Sequence, residues 1–259
     1  MAYYYGSMGH TQKMQDLYAE EIKHSVDNSK TFRTAKTVDS CQQSPTLKKI
    51  VVEKLTTTEA ILKYKDYAAL NFASYKYPGG SFGRPAVHLA QEEYLCKDSF
   101  LYNVLNDDKF QEDYAWNNKH NNDELYTNWC IFSKDVGFVN DEDELVAKAD
   151  ILTCAAPNAS AARYRRNVLA IDFVMNSRIG FVLAVAAQMG VKNLILGAFG
   201  CGVFGNNPSK VASMFMSFLK SHDYGFENVI FAIPGGENYD KFREVVEDPY
   251  WNWLISENS

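Results

Sequence analysis

Two adjacent glutamates, Glu92 and Glu93, close the stretch PGGSFGRPAVHLAQEE (78–93), with apolar AVHLA shortly before them and YLC directly after. A carboxyl pair in an apolar setting beside a glycine turn can do acid–base work. A carboxyl beside a ribose anomeric carbon can protonate a glycosidic oxygen and later take a proton from water. The competing reading is a charge pair that opens a helix, since carboxylates favour the first turn. The residues alone leave both readings open.

A second run, LILGAFGCGVFGNNPSKVA (194–212), places four glycines between a strand pattern and a helix start. Glycines let backbone approach a ligand, and a helix N-terminus favours negative charge, so a phosphate or pyrophosphate suits this turn. A plain tight turn is the alternative. The run is read as neither G-x-G-x-x-G nor G-x-x-x-x-G-K-[ST], so a dinucleotide redox fold or an NTPase is not indicated. A nucleoside diphosphate sugar would use both turns, one for the pyrophosphate and one around the sugar.

Composition narrows the field. Of 259 residues, 46 % are apolar and 14 % aromatic, enough for a packed core. The net charge of −6 argues against a general nucleic-acid binder, which needs clustered Lys and Arg. Five widely spaced cysteines, with no CxxC pair, indicate neither a disulfide framework nor a zinc site. Neither a metal nor a cofactor is expected. NVLAIDFVMNSRIGFVLAVAAQMG (167–190) is broken by Asp172, Asn176 and Arg178, so it reads as a core helix and no membrane partner is expected. The N-terminus shows neither a basic nor an apolar signal region, and a cytoplasmic protein is expected.

The elements that must position the two turns follow from hydrophobic period and turn chemistry. A polar helix is expected at 11–25, a short strand at 48–55, and a buried strand at 68–74 that feeds Tyr77-Pro78-Gly79-Gly80. Residues 90–105 suit one amphipathic helix, 106–125 a polar Asn/Asp-rich loop, and 129–139 a strand pair. Then come a strand at 151–158, a long helix at 163–189 closed by Gly190, and a strand at 191–200. A helix at 207–222, a strand at 226–234 and a last helix finish the chain. Alternating strands and helices imply a three-layer α/β fold with a mixed, mostly parallel sheet flanked by helices. A single domain spanning 1–259 is expected, with an N-terminal helical extension at about 10–45. In such folds ligands sit beyond the carboxyl ends of the strands, where both turns lie.

The stretch NFASYKYPGGSFGRPAVHLAQEEYLCKDSFLY resembles the signature of microbial-type poly(ADP-ribose) glycohydrolases, a Pro-Gly-Gly-Gly turn, a short loop and Gln-Glu-Glu. WCIFSKDVGFV, ILTCAAPN and LGAFGCGVFGNNP resemble family segments in the same order, over roughly residues 10–235. The resemblance implies a macrodomain that binds ADP-ribose or an ADP-ribosylated protein. Glu93 matches the family's general acid/base, and Glu92 the carboxylate that positions the ribose. Asn71 matches a contact to the distal ribose, and Gly79, Gly80 and Ser81 the turn near the diphosphate, with Gln91 in the same substrate-binding signature. Gly200, Cys201, Gly202, Val203 and Phe204 match the second diphosphate loop, with Phe204 also packing on the ribose.

Three positions depart from that pattern. Ser81 replaces the third glycine, nine residues separate Ser81 from Gln91, and Tyr77 stands where asparagine is common. The lengthened loop is expected to set substrate choice, while its Arg84 and His88 are expected to be solvated or structural. The reaction implied is hydrolysis of the ribose–ribose bond of poly(ADP-ribose). The alternatives are removal of single ADP-ribose units from proteins, a module that only reads ADP-ribose, and an unrelated nucleotide-sugar enzyme. Because neighbours along a helix point in different directions, the two acids are expected to diverge and divide the labour.

Overall fold

The computed structural model describes residues 2–40, 46–82, 84 and 90–251. Seven strands form one sheet: β1 (Lys30–Phe32), β2 (Lys49–Glu53), β3 (Ala68–Phe72), β4 (Cys130–Val139), β5 (Leu145–Cys154), β6 (Asn193–Leu196) and β7 (Asn228–Ala232). Their spatial order is β1-β4-β5-β3-β6-β7-β2. The five strands from β5 to β2 run parallel, and β4 is antiparallel to both its neighbours. The sheet is therefore mixed and mostly parallel, as expected.

Period-2 alternation in buried strands divides the core in two. Leu70, Leu152 and Leu194 face one side, and Ala69, Ile151 and Ile195 face the other. The first face is covered by α7 (Val168–Gln188), α8 (Pro208–Ser221) and α9 (Gly236–Val246). The second is covered by α1 (Ala2–Asn28), α2 (Thr57–Lys63), α3 (Gln91–Lys97), α4 (Leu101–Leu105) and α5 (Asp108–Lys119). A short α6 (Ala159–Ala162) precedes α7.

Several boundaries differ from the sequence reading. The first helix starts at Ala2, and Met14, Ile22 and Val26 pack into the core, so residues before β1 are an integral layer rather than an extension. The helix expected at 90–105 is two helices, broken where Ser99 bridges to Phe138 of β4. The Asn/Asp-rich region is not a loop: α5 is capped by Asp107 and buries Phe110, Tyr114 and Asn117 on one face. The expected strand pair at 129–139 is a single strand whose register shifts between Ser133 and Val136.

The long helix starts later than expected, at Val168, behind the Asn167 cap. By length and composition α7 could cross a membrane, yet half of that stretch is buried inside the protein. The sequence reading omitted β1 and α2. A Thr56/Glu59 capping box announces α2, with Glu59 Oε2 accepting the Thr56 N–H at 2.7 Å.

Candidate active site

The chain leaves β3 for β4 and β5 on one side of it, and later places β6 and β7 on the other. The carboxyl ends of β5, β3 and β6 thus flank a switch point, where open α/β sheets hold ligands. Asn71 lies near the end of β3, in register with Thr153 of β5. It is fully buried and donates from Nδ2 to Thr153 Oγ1 (3.3 Å) and to Glu92 Oε1 (3.2 Å). Its Oδ1 has no hydrogen-bond partner among the described residues. A buried acceptor without a donor is costly, and a ribose hydroxyl is the kind of group that would satisfy it.

Both glutamates lie in the first turn of α3 and are buried, Glu92 at 2 % and Glu93 at 6 % exposure. Glu92 Oε2 accepts the Ser74 N–H at 2.6 Å, and the Gly79 N–H also points at this carboxyl. Glu93 Oε1 accepts the Ser81 N–H at 2.8 Å, and its Oε2 accepts the Ala90 N–H at 2.9 Å. That last bond is one half of a capping box, so Glu93 does open its helix. The charge-pair reading is thus satisfied in part, without using up the carboxyl, because each oxygen keeps a second lone pair.

The acids do not diverge. A Cβ placed on Gly80 would lie 2.5 Å from Glu93 Oε1 and 2.9 Å from Glu92 Oε2, so both carboxyls crowd one point under this glycine. Gly79 and Gly80 have φ of +63° and +60°, a left-handed turn that a side chain resists. The loop thereby aims the N–H groups of Gly79 and Ser81 at the acids, rather than leaving them for a diphosphate. Burial, with the Glu93 charge adding to it and the Ser74, Asn71 and Gly79 donors opposing it, pushes the Glu92 carboxyl up to about 8. A buried pair this close retains a proton near neutral pH.

Gln91 has a different place from that expected. It donates to Leu70 O (2.9 Å) and Thr57 Oγ1 (3.0 Å) and accepts from the Phe72 N–H (2.8 Å). Both amide hydrogens are used within the protein, so Gln91 locks the start of α3 to β3 instead of meeting substrate.

Across the switch point, the turn after β6 is held from within. Asn206 donates from Nδ2 to Gly200 O (2.9 Å) and Pro157 O (2.8 Å), and its N–H reaches Gly200 O at 3.1 Å. A Cβ on Gly200 (φ +72°) would meet Ala156 Cβ at 2.5 Å, which explains this glycine. Gly202 has open space where a Cβ would go, and Val203 beside it is 81 % exposed. The backbone N–H groups of Gly202, Val203 and Phe204 donate to no backbone carbonyl among the described residues. Three consecutive donors without a backbone partner, a few residues before α8, are groups that suit an anion. Gly200, Gly202 and Gly205 have G-x-G-x-x-G spacing between a strand and a helix, which corrects the sequence reading of this run. Cys201 is half-buried, with its thiol pushed up to about 12 by burial.

The wall between the two turns uses residues that the sequence reading passed over. Tyr126 stacks on Tyr75 at 4.5 Å between ring centroids and lies 6.2 Å from the Phe204 ring. Asn122, Asp123, Glu124 and Tyr126 all have φ between 53° and 67°, in the left-handed region that disfavours side chains. Strong contacts hold them there. Asp123 pairs with Arg165 and Arg166, and Glu124 accepts from Lys76 (3.0 Å) and Tyr126 (2.6 Å). Buried Arg178 of α7 donates to Leu125 O (3.2 Å), to Ala155 O and to Asn128 Oδ1 (2.8 Å), joining this segment to the end of β5. A basic residue in a long apolar helix was the available signal for Arg178.

Residues 83 and 85–89, including His88 and most of the lengthened loop, lie outside the described residues. Arg84 is exposed and stacks on the Tyr77 ring at 3.4 Å, a structural contact of the kind expected.

The sequence model of the microbial-type PARG catalytic domain, PARG being poly(ADP-ribose) glycohydrolase, matches residues 2–141. No curated protein sequence matches the chain. Among solved structures, the fold is similar to poly(ADP-ribose) glycohydrolase from Thermomonospora curvata (27 % identity, TM-score 0.80, 93 % of this chain and 98 % of that one). The same bacterium's enzyme bound to the inhibitor ADP-HPD gives a TM-score of 0.78 at 28 % identity, over 93 % of this chain and 98 % of that one. The Deinococcus radiodurans enzyme in complex with ADP-ribose is 31 % identical with a TM-score of 0.74, covering 87 % of this chain and 97 % of that one. With a family match over more than half its length and this relative covering 87 % of it, the chain belongs to the microbial-type poly(ADP-ribose) glycohydrolase family.

Proposed function

We propose that this enzyme hydrolyses the ribose–ribose bond of poly(ADP-ribose), with Glu93 as general acid/base and Glu92 as the group that holds the ribose. The observation that carries the reading is the buried carboxyl pair crowded under Gly80, one member of which is pushed up to about 8. Asn71 Oδ1 and Glu92 supply acceptors for ribose hydroxyls, and the Gly202–Phe204 cradle receives the diphosphate. Two fixed ends orient the anomeric carbon between them.

The proton follows the ligand. Ribose hydroxyls that donate to Glu92 favour its ionised form, and the one proton of the pair then resides on Glu93. Glu93 gives it to the leaving oxygen as the C–O bond breaks and positive charge grows on the ribose. Water attacks the anomeric carbon, and Glu93 takes the proton that water releases. A module that only reads ADP-ribose has no use for such a pair. The four described cysteines are free, which supports a reducing, cytoplasmic setting.

The test is incubation with poly(ADP-ribosyl)ated and with mono(ADP-ribosyl)ated protein, followed by analysis of the products. Free ADP-ribose released from polymer, with the last protein-bound unit left in place, is the expected result. Release from the mono-modified protein alone would replace this substrate by the single unit. Binding of ADP-ribose without release from either would leave a reader module.

A further inference from the structure

The two glycine turns of the site share a neighbour, the segment 121–127. On the side of the acids, this segment holds the strip that leads from β3 into the first turn. The Tyr75 hydroxyl shares a hydrogen bond with Thr127 Oγ1 at 2.7 Å, its ring stacks on Tyr126, and Lys76 Nζ donates to Glu124 Oε1 at 3.0 Å. The same strip gives the Ser74 N–H to Glu92 at 2.6 Å, and the turn at Tyr77 to Ser81 follows it directly. On the other side, the Tyr126 ring lies 6.2 Å from Phe204, and the Asn158 N–H donates to Glu124 O at 2.9 Å. Asn158 caps α6, whose Ser160 N–H in turn holds Phe204 O at 2.9 Å.

Glu124 is the junction between the two sides. Its half-buried carboxylate takes three donors: Lys76 Nζ and Asn121 Nδ2 (2.7 Å) on one oxygen, and the Tyr126 hydroxyl (2.6 Å) on the other. Burial opposes its ionisation, yet hydrogen bonds from Tyr126, Asn121 and Lys76 outweigh burial and hold the carboxyl below its ordinary value. The backbone around it is strained, with Asn122, Asp123, Glu124 and Tyr126 at φ between 53° and 67°. Left-handed backbone in residues with side chains persists only where contacts over-determine it, and such segments gather at functional sites.

We infer that Glu124 is a positioning residue for the hydrolysis: by holding Lys76 and Tyr126 on one carboxylate, it fixes the spacing between the acid pair and the Phe204 turn. The inference rests on the glycohydrolase reading for the reaction, and on these contacts for the coupling. The anomeric carbon must lie within reach of Glu93 while the diphosphate is bound at the other turn. The spacing of the two turns decides whether both conditions are met together. A displacement of about 1 Å at a reacting centre can cost about 100-fold in rate. Glu124 acts through Lys76 and Tyr126, and not on the substrate.

Glu124→Gln and Lys76→Met test it, since each removes the ion pair and leaves side-chain size nearly unchanged. Amide hydrogen exchange of Glu124→Gln without ligand reads the coupling directly. Exchange should quicken several-fold in peptides covering both turns, 77–82 and 200–206, as well as in 121–127. Faster exchange confined to 121–127 would make Glu124 a local support and overturn the inference. Turnover on polymer, at a temperature where both variants are fully folded, should fall about 10- to 100-fold. The Kd for free ADP-ribose should stay within about threefold, because a flexible ligand adapts to a shifted turn where the reaction cannot. The double variant should be no slower than the slower single one, because the pair acts as a unit. A lowered Tm with unchanged kcat, or additive losses in the double variant, would also overturn the inference. If the parent protein neither binds ADP-ribose nor cleaves polymer, the glycohydrolase reading fails, and the exchange arm still decides whether Glu124 couples the turns.

Discussion

Replacing Glu92 by glutamine should change how stability depends on pH before it changes anything else that is easily measured. The carboxyl has an ordinary value of 4.5 and is pushed up to about 8 in the fold, chiefly by burial. In the unfolded chain it ionises above 4.5, while in the native protein it keeps its proton until about 8. Between those values the unfolded state binds fewer protons, so stability falls as pH rises, and the loss is complete above about 8. At about 1.4 kcal/mol for each pH unit, the gap amounts to about 5 kcal/mol. Nearby donors can tighten as the charge forms, so about 3–5 kcal/mol is expected to be seen. For a chain of this length that is a Tm difference on the order of 10 °C. Other carboxyls, such as Glu53 and Glu124, are held low by their partners and oppose the trend, so the informative quantity is a difference. Thermal unfolding of parent and Glu92→Gln should be followed from pH 5 to pH 9. The variant should gain on the parent steadily up to about pH 8, then run parallel to it. Curves that stay parallel throughout would show that Glu92 does not carry a buried proton, and the account of the acid pair would fall with it.

Glu93→Gln should keep ADP-ribose binding, measured by calorimetry, and lose about 10²–10⁴-fold in turnover, the usual worth of a positioned general acid; full activity would remove Glu93 from the mechanism. Gly202→Val should weaken ADP-ribose about tenfold or more at unchanged Tm, because a side chain there meets open space in the protein but obstructs the cradle. Arg178→Met should lower stability by about 2–4 kcal/mol in denaturant unfolding, since it leaves Ala155 O and Leu125 O buried without donors.

How much of this was legible in the sequence depended on whether local pattern or tertiary contact fixed the feature. The β3 strand, the glycine turn and the acid pair were legible because hydrophobic run, turn residues and helix start lie within one short window. The glycine turn after β6 was legible for the same reason. The α5 helix was missed because its polar residues outnumber the three that it buries, and only the i, i+4, i+7 spacing of Phe110, Tyr114 and Asn117 gives it away. The convergence of Glu92 and Glu93 was not legible. Adjacent side chains do diverge on a helix in isolation, but here Gly80 and the N–H groups of Ser74 and Ser81 draw both carboxyls to one place. Gln91 was placed with the ligand by its neighbours in sequence, whereas its partners, Thr57 and Leu70, come from segments far apart in the chain.

The half-buried cysteine in the glycine turn after β6 carries a consequence for redox chemistry. A thiol with an ordinary value of 9.0 that burial has pushed up to about 12 holds about a thousandth of the usual thiolate at neutral pH. Thiolate is the species that peroxides oxidise and alkylating reagents capture. Cys201 should therefore outlast oxidant exposures that consume ordinary surface thiols.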